Sequence, residues 1–523
     1  MSTFRFAQAC AGLALFLAVP LGSQATSNPS ATALRRAVES ISEADFVAKL
    51  GALAHDSTRG RETPSPELER ATDWIAVQFR RIGLRPAGDA GGYLQRMQLV
   101  ESRLDSLSTV SLSGPGYAAT WTLGREIVYA VGTQPADVTA LPVVLMLGMP
   151  ADTLRPFGDA PVRGAAILHI IPANQFDPRA LNPIYRQATS EGALVHILVA
   201  EFPAAQWAQA VRRSFPQRWE LASEPTVPRA MAGFGLKSDA ATDLLRAAGE
   251  DPAVLAAPSG RSARSLAGFT LAINLHRTTV RQASVANVVG VLDGSDRRLR
   301  DEAVVFSSHF DHVGMVGGGR CQRSAALPAD STCNGADDNA SGTVGVIELA
   351  EALATLRPRP ARTLVFAAFT AEERGLLGSR FYVGNPVIPI DRTAAVINLD
   401  MIARNARDTV GLVEKDYTSL GGVVDRLARE HPELRLTPTA HSGVYQGSDH
   451  FPFAQRGVPS LFFFSGLHND LHTAADNADR ADSGQAARIT RLAFLTGLEV
   501  ANAVVRPTWD SSARARIVNP GAR

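Results

Sequence analysis

Between about residue 284 and residue 504, short apolar runs alternate with segments of helical periodicity. The runs are NVVGVL, AVVFSSH, TLVFAAFT, AAVINLD and SLFFFSG, and the helical segments are 342–356, 375–384, 417–430 and 484–504. This alternation is typical of a largely parallel sheet whose two faces are covered by helices. We therefore predict an α/β fold with a mixed, mostly parallel sheet. Ligands of such sheets bind at the carboxyl ends of the strands, so the polar residues that follow each run are the candidates for function.

The rest of the chain has a different character. Apolar residues at three- and four-residue spacing in ADFVAKLGALAHD and LERATDWIAVQFRRIGL predict two amphipathic helices between residues 31 and 84. From 125 to 265, short apolar runs such as LPVVLMLG, AAILHII and ALVHILVA predict an inserted, β-rich domain. The predicted division is a signal peptide at 1–25, the N-terminal helical part of the main domain at 26–124, the insert at 125–265, the main α/β domain at 266–510, and a polar tail at 511–523.

The first 25 residues have the pattern of an export signal. Arg5 precedes an apolar run at 9–21, and residues 23–25 read Ser-Gln-Ala, with small residues at the two positions that signal peptidase recognises. A membrane anchor would need about 20 uninterrupted apolar residues, and Pro20 and Gly22 interrupt this run. We predict cleavage after Ala25 and a periplasmic or secreted protein.

The charge balance bears on possible partners. Lys and Arg total 52 against 51 for Asp and Glu, a formal net charge of +1, so no overall field attracts nucleic acid. The chain beyond the signal lacks a second long apolar run, so we expect no membrane partner after cleavage.

Cys321 and Cys333 are the two cysteines that remain once Cys10 leaves with the signal. An oxidising compartment allows them to pair, and we favour a disulfide that closes this loop. The alternative, a pair of metal ligands, would more commonly have a C-x-x-C spacing.

Imidazole and carboxylate side chains follow the apolar runs or open a helix. They are His309 and Asp311 after AVVFSSH, Asp337 and Asp338 in NGADDNASG, Glu372 and Glu373 after TLVFAAFT, Asp400 at the end of AAVINLD, and His472 in LHNDLHTAAD. If the runs are adjacent strands, these groups converge on one edge of the sheet. Two imidazoles with several carboxylates and no cysteine suit Zn²⁺, with Mn²⁺ or Co²⁺ as substitutes. One carboxylate can bridge two such ions about 3.5–4 Å apart, which predicts a hydrolytic site.

Taken singly, each residue has a simpler interpretation. An Asp at a strand end or before a helix often serves as a cap, as Asp337 could, and Glu372 with Glu373 could be a solvated pair. His468 is a rival to His472 as a ligand, and His312, His441 and His450 we interpret as structural or peripheral histidines.

The order of five motifs points to a family. S-H-F-D-H, N-G-A-D-D-N-A-S-G, A-E-E-R-G-L-L-G-S, N-L-D-M and L-H-T resemble the co-catalytic zinc peptidases that include bacterial secreted leucyl aminopeptidases, plasma glutamate carboxypeptidase and the glutaminyl cyclases. The resemblance covers about 284–504, and the block GRETPSPELERATDWIAVQFRRIGLRPAG is similar to the opening helices of that family. The insert resembles a protease-associated domain in APVRGAAILHIIP and SEGALVHILVA.

The resemblance implies a role for each residue. In it, His309 and Asp400 hold one zinc, Glu373 and His472 hold a second, Asp337 bridges the two, Glu372 is the general base, Asp311 accepts the other ring N–H of His309, Asp338 supports the bridge across a cis peptide between Asp337 and Asp338, and Tyr445 lies near the tetrahedral oxyanion. Second carboxylates of this kind fix the tautomer of a ligating histidine.

The activity implied is that of an exported aminopeptidase with two Zn²⁺ per chain, which hydrolyses N-terminal residues of peptides with a glutamate base. A carboxypeptidase or dipeptidase of the same family would instead read a terminal carboxylate with Arg or Lys. A glutaminyl cyclase needs one zinc and departs from the A-D-D-N pattern at 336–339. A non-catalytic binding protein on this fold would have lost ligands, and all five ligand positions are filled here.

Overall fold

The computed structural model describes residues 29–518, apart from 133–136, 151, 153–154, 172–177, 216, 225–230 and 256–262. The predicted signal peptide at 1–25 lies outside the described residues. None of the helices within the described ranges is both long enough and apolar enough to cross a membrane.

The helices include the predicted ones. The two expected between residues 31 and 84 are α2 and α3, and the four expected in the main domain are α7, α8, α9 and α11 of the following set. In chain order the helices are α1 (Ala31–Ser40), α2 (Glu43–Leu53), α3 (Pro66–Ile82), α4 (Pro178–Ser190), α5 (Ala204–Arg213), α6 (Ala241–Ala247), α7 (Gly342–Thr355), α8 (Leu377–Gly384), α9 (Leu420–Glu430), α10 (His450–Gln455), α11 (Ser483–Asn502) and α12 (Ser511–Ile517).

Helix α3 shows how local sequence sets an element's ends. The Ser65 side chain accepts a hydrogen bond from the backbone N–H of Leu68, and Pro66 occupies the first turn, where its missing N–H costs nothing. At the other end Gly83 adopts a left-handed conformation with φ of 81° and closes the helix.

The strands form two sheets. In chain order they are β1 (Arg85–Pro86), β2 (Leu94–Leu104), β3 (Thr109–Gly114), β4 (Tyr117–Thr122), β5 (Ile127–Gly132), β6 (Val138–Leu147), β7 (Ala166–Ile170), β8 (Val195–Ala200), β9 (Gln217–Leu221), β10 (Ala232–Lys237), β11 (Arg264–Asn274), β12 (Arg277–Leu292), β13 (Ala303–His309), β14 (Thr363–Phe369), β15 (Thr393–Leu399), β16 (Thr409–Val413), β17 (Thr437–His441) and β18 (Ser460–Phe464).

The main sheet is mixed, with a parallel centre. Its strand order is β17-β16-β18-β15-β13-β14-β12-β2-β9, and β1 pairs with β12. Strands β14, β13, β15 and β18 run parallel, whereas β12, β2 and β9 extend the sheet through antiparallel pairs. The α/β fold class is therefore as predicted, and the five apolar runs are β12, β13, β14, β15 and β18.

Both faces of the main sheet are buried under helices. Val304 and Phe306 of β13 belong to an apolar cluster that also contains residues of α3, α7 and α11. Val305 of the same strand faces the other way and packs in a second cluster with Tyr382 of α8 and Phe453 of α10. Alternation of this kind explains why the central strands are apolar without interruption.

The second sheet has eight strands in the order β4-β3-β11-β6-β7-β8-β10-β5. Its strands come from residues 109–274, a range that contains the predicted insert of 125–265 and extends beyond it at both ends. Strand β9 lies within this range but does not join the second sheet. It pairs with β2 of the main sheet, with Leu221 opposite Leu99. The segment is thus attached to the main sheet in its middle as well as at its ends.

The predicted polar tail at 511–523 begins with helix α12. The side chain of Asp510 caps this helix by accepting from the backbone N–H of Ala513. Ala513 is buried, Ile517 packs against an apolar cluster, and Arg516 lies over the ring of Tyr417 at 5.2 Å. The i, i+4 spacing of the two apolar residues gives the short helix one face to bury, which composition alone did not indicate.

Candidate metal centre

The predicted ligands lie at the carboxyl edge of the main sheet. His309 is the last residue of β13 and is aligned with Phe369 at the end of β14, and Asp400 follows β15 directly. Because β13, β14 and β15 are parallel neighbours, their ends bring these residues together. The convergence expected from the sequence is present.

One cluster forms around His309. Its Nε2 lies 3.3 Å from Asp338 Oδ1 and 3.4 Å from Asp400 Oδ1, and all three side chains are buried. The Asp400 carboxylate also accepts a hydrogen bond from the Ser448 hydroxyl over 2.6 Å, which fixes its orientation.

A second cluster forms around Glu373 and His472. The Nε2 of His472 lies 3.2 Å from Asp338 Oδ2 and 3.1 Å from Glu373 Oε1. His312 also belongs to this cluster, because its Nδ1 lies 3.0 Å from Glu373 Oε1. Asp338 therefore belongs to both clusters, with one carboxylate oxygen facing each.

The structure replaces Asp337 by Asp338 as the shared carboxylate. The Asp337 side chain points away from both clusters: Oδ1 accepts from the backbone N–H of Ala403 over 2.6 Å, and Oδ2 lies 3.2 Å from His468 Nε2. Asp338 has a nearly extended backbone, with φ of −103° and ψ of 96°, so the two neighbouring side chains diverge. The cis peptide bond is likewise one position later than expected, between Asp338 and Asn339.

Asp476 supports this turn, and the sequence analysis did not single it out. Its carboxylate accepts hydrogen bonds from the backbone N–H groups of Asp337 and Asp338, each at 3.0 Å. The signal in the sequence was its place four residues after His472, in LHTAAD. His468, the rival of His472, contacts Asp337 and lies outside both clusters.

Asp311 contacts His309 mainly through its backbone. The His309 Nδ1 lies 3.2 Å from the Asp311 carbonyl oxygen and 3.8 Å from its carboxylate, so the expected carboxylate contact is the longer of the two. The Asp311 carboxylate instead accepts from the backbone N–H of Glu372 and from the hydroxyl of Thr63, both at 3.0 Å. Asp311 thus connects the turn that contains Glu372 to the end of strand β13, where His309 lies.

Glu372 lies beside the first cluster without belonging to either. Its Oε2 is 3.9 Å from His309 Nε2. Burial raises the pKa of Glu372 well above its usual range, the His309 imidazole opposes that rise, and the carboxylates of Glu373, Asp449 and Asp400 add to it. A buried carboxyl with a raised pKa binds a proton more readily than a solvated one, which suits a group that exchanges protons.

The clusters hold strong opposing charges. Burial raises the pKa of Asp338, but the imidazoles of His312, His309 and His472 outweigh burial and hold that pKa well below its usual range. Burial lowers the pKa of His472, but Asp338 and Glu373 outweigh burial and raise it to about 10. Acidic groups in such density attract cations.

The donor set fits zinc. It consists of imidazole nitrogens and carboxylate oxygens without a thiolate, which suits Zn²⁺ in sites that also accept Mn²⁺ or Co²⁺. Among the described residues, the buried Glu373 Oε1 and both ring nitrogens of His312 lack a hydrogen-bond partner of acceptable geometry, although they lie close together. Such close approach without hydrogen bonding is the arrangement that ligands of a common cation would have.

A loop closed by a disulfide borders the second cluster. Cys321 and Cys333 are bonded, with their Cα atoms 5.8 Å apart, as favoured from the sequence. Gln322 donates its backbone N–H to the carbonyl of His472 over 2.8 Å, and Arg320 Nη2 lies 3.2 Å from Glu373 Oε2. The loop therefore adds a cation to the edge of the site.

Tyr445 lies in the apolar cluster that contains Met401, the neighbour of Asp400. Its ring meets that of His450 edge-on at 4.7 Å, and its hydroxyl has no hydrogen-bond partner within the part of the chain that the structure describes. Burial raises the pKa of this phenol, so it stays protonated and able to donate. Its role at an oxyanion stays a prediction.

Comparison with known proteins identifies the segment that carries this site. Residues 287–496 match the family described as "Peptidase family M28". This part of the chain is similar to the peptidases of family M28. Every residue of the two clusters lies within it.

This chain spans only about a quarter to a third of the length of the curated relatives described here. A glutamate carboxypeptidase 2 homolog of Caenorhabditis elegans is 29% identical over 221 residues, which are 38% of this chain and 26% of the relative. Leupeptin-inactivating enzyme 1 of Streptomyces exfoliatus is 31% identical over 161 residues, 30% of this chain and 35% of the relative. Among solved structures, BSAP, a zinc aminopeptidase from Bacillus subtilis, is 16% identical, covers 92% of this chain and 98% of its own, and has a TM-score of 0.45.

Proposed function

We propose that this protein is an exported metallopeptidase with two Zn²⁺ that removes N-terminal residues from peptides. The observation that carries the proposal is the position of Asp338, whose two carboxylate oxygens face two separate groups of donors. A shared carboxylate of this kind is what a pair of closely spaced cations requires. His309 and Asp400 would complete one site, and Glu373 and His472 the other.

When bound, the zinc ions would polarise the scissile carbonyl and acidify water. The chain's own contribution is to hold and move the proton. Glu372 is the group we assign to that task, because it adjoins His309 yet belongs to neither cluster. Asp311 orients it through the hydrogen bond from the Glu372 backbone N–H. The acidic surroundings favour a substrate that presents an ammonium group.

Arg320 favours a second candidate, a carboxypeptidase or dipeptidase. Its side chain is 37% exposed and contacts Glu373, so a guanidinium is present at the edge of the site. Arginine recognises carboxylates well, and a free C-terminus presents one. Arg374, by comparison, is engaged by Glu62 and the carbonyl of Thr63.

Export and the role of the insert are part of the proposal. The disulfide between Cys321 and Cys333 suits an oxidising compartment, which agrees with the signal predicted at 1–25. We assign to the predicted insert the role of limiting access to the metal edge, by which we mean the carboxyl edge of the main sheet where the two clusters lie. The boundaries of the predicted domains belong to the same proposal.

The test combines zinc quantification with a substrate panel. Purified protein should contain two zinc ions per chain and hydrolyse aminoacyl-anilides. Chelation should abolish this activity, and Zn²⁺ or Co²⁺ should restore it. Glu372→Gln should retain both ions and lose about 100-fold or more in kcat. Activity in metal-free protein, or a rate for Glu372→Gln like that of the wild type, would contradict the mechanism.

Substrate preference distinguishes the two candidate functions. Preference for C-terminally free dipeptides over anilides, lost in Arg320→Gln and kept in Arg323→Gln, would establish the second candidate in place of the first. Arg323 is the matched control because it is exposed and lies in the same loop.

A further inference from the structure

We propose that His312 is a fourth side-chain ligand of the second cluster, so that this half of the centre holds its cation with four protein groups and the other half with three. The inference rests on the proposed function, because it concerns how the two cations are held. His312 was interpreted as a structural or peripheral histidine on sequence grounds, and its position gives it a different role.

The distances between the donor atoms support His312 as a ligand. His312 Nδ1 lies 3.0 Å from Glu373 Oε1 and 3.6 Å from Asp338 Oδ2, and His472 Nε2 lies 3.1 Å and 3.2 Å from the same two oxygens. Tetrahedral zinc ligands at their normal bond lengths are about 3.3 Å from one another. The four separations scatter around that value. His312 lies slightly closer than His472 to Glu373 Oε1 and somewhat farther from Asp338 Oδ2, and both imidazoles are within the range expected of ligands of one cation.

The His312 ring has no competing hydrogen-bond partner among the described residues. It is fully buried, and neither ring nitrogen makes a hydrogen bond of acceptable geometry to another described residue. Buried imidazoles are normally hydrogen-bonded, so an orphan of this kind needs an explanation. A shared cation would satisfy Nδ1 at the same time as Glu373 Oε1.

The His312 ring is fixed in place by its surroundings. The backbone N–H of His312 donates to the Arg61 carbonyl over 3.2 Å. The ring lies against Gly335, where an added Cβ would come within 2.5 Å of the ring atoms Cγ and Cδ2. Glu373 is oriented as well, because Arg320 lies against Oε2 and leaves Oε1 to the two histidines.

The consequence is a functional difference between the two halves. Zinc sites with four protein ligands are typically structural and closed, whereas catalytic sites have three and keep one position open. His309, Asp338 and Asp400 make up the three-ligand half, and Glu372 lies beside it. We therefore assign tight retention to the cation near His312 and exchange with water and substrate to the cation near His309.

The test measures zinc content of the full-length protein across a series of chelator-buffered free zinc concentrations. The wild type should lose its two ions in two separate steps. His312→Gln should weaken the tighter step by about 100-fold or more, since loss of even an outer partner costs 10–100-fold. His468→Gln, a nearby histidine outside both clusters, should keep both steps. Equal unfolding midpoints of the metal-free variants would establish that the change is local.

A second measurement uses the wild type alone and does not depend on the variant's folding. In the protein loaded with Co²⁺, each ligating imidazole contributes a paramagnetically shifted, solvent-exchangeable N–H proton signal. Three such signals are expected from His309, His312 and His472. Two signals, or an unchanged tight step in His312→Gln, would overturn the inference while leaving the two-zinc function intact. A wild type that binds no zinc would refute the proposed function itself.

Discussion

The Ser448 hydroxyl donates a hydrogen bond to Asp400 Oδ2 over 2.6 Å. Ser448 in turn accepts from the side-chain amide of Asn398, so a chain of two hydrogen bonds orients a proposed metal ligand. Outer partners of this kind typically contribute 10–100-fold to metal affinity. Ser448→Ala should therefore weaken zinc binding at the His309 half by about 10-fold or more, measured by competition with a chromophoric chelator.

The control for that measurement is Ser460→Ala. Ser460 is also buried, but it lies at the start of β18, away from the carboxyl edge, and donates to the Val458 carbonyl. Its substitution should leave zinc affinity unchanged. Equal affinities of the wild type and Ser448→Ala would show that Asp400 needs no such support.

Asp337 and Asp338 offer a direct comparison of adjacent carboxylates. Asp338→Asn should weaken the binding of both zinc ions by about 100-fold or more, because an amide is a far poorer bridge between cations than a carboxylate. Asp337→Asn should retain both ions, because its side chain contacts Ala403 and His468 instead. Zinc quantification of the two variants decides the matter, and loss of both ions in Asp337→Asn alone would restore the assignment made from the sequence.

This pair also marks how far sequence reasoning reaches. The apolar runs predict the strands, and parallel strands predict the shared edge, so the convergence of His309 and Asp400 followed from patterning. Which of two neighbouring aspartates faces the cations depends on the backbone conformation at Asp338. No residue pattern specifies that conformation.

His312 and Asp476 show a second limit. Both contact the centre through loop geometry, His312 after β13 and Asp476 beyond the last ligand. A histidine or aspartate in a loop has no periodicity that could reveal where its side chain points.

The disulfide was easier to predict, because Cys321 and Cys333 had no other cysteines with which to pair after export.

Arg61 connects three segments beneath the metal edge. It is fully buried, and its guanidinium donates to the carbonyls of Phe310, Leu53, Asn334 and Gly335 at 2.7–3.0 Å. Arg61→Met would remove the donor from the carbonyls of Phe310 and Asn334, whereas the carbonyls of Leu53 and Gly335 each accept a second hydrogen bond from another group. Each buried unsatisfied group costs about 1–3 kcal/mol. We expect the free energy of unfolding to fall by at least about 2 kcal/mol, measured by urea denaturation.

Arg59→Met provides the comparison for Arg61. Arg59 lies in the same turn and is exposed, so its substitution should change stability by less than about 0.5 kcal/mol. Similar losses in the two variants would mean that the turn itself, and not the buried hydrogen bonds, is the sensitive element.

The eight-stranded sheet contains a buried histidine pair that should make the protein sensitive to mild acid. His169 of β7 and His196 of β8 are stacked, with Nε2 of His196 3.3 Å from Nδ1 of His169, and His169 Nε2 lies 2.9 Å from the Gly148 carbonyl. The ring of Tyr185 of α4 lies 6.1 Å from that of His196. Burial lowers the pKa of His169 to about 4, and burial together with the His169 charge lowers that of His196 to about 3.

Both values lie below that of a free imidazole, about 6.5, so the unfolded chain takes up protons first as the pH falls. The free energy of unfolding should therefore be highest above pH 6.5 and should fall between pH 6.5 and 5 by up to about 1.4 kcal/mol per pH unit for each imidazole. His196→Gln should flatten this slope by the share of one imidazole, whereas His55→Gln, at an exposed position, should leave it unchanged. Urea denaturation monitored by tryptophan fluorescence at several pH values measures both slopes. If His196→Gln kept the slope of the wild type, the acid sensitivity would arise from other groups. Removing one of two buried, uncharged imidazoles must reduce any slope that the pair causes.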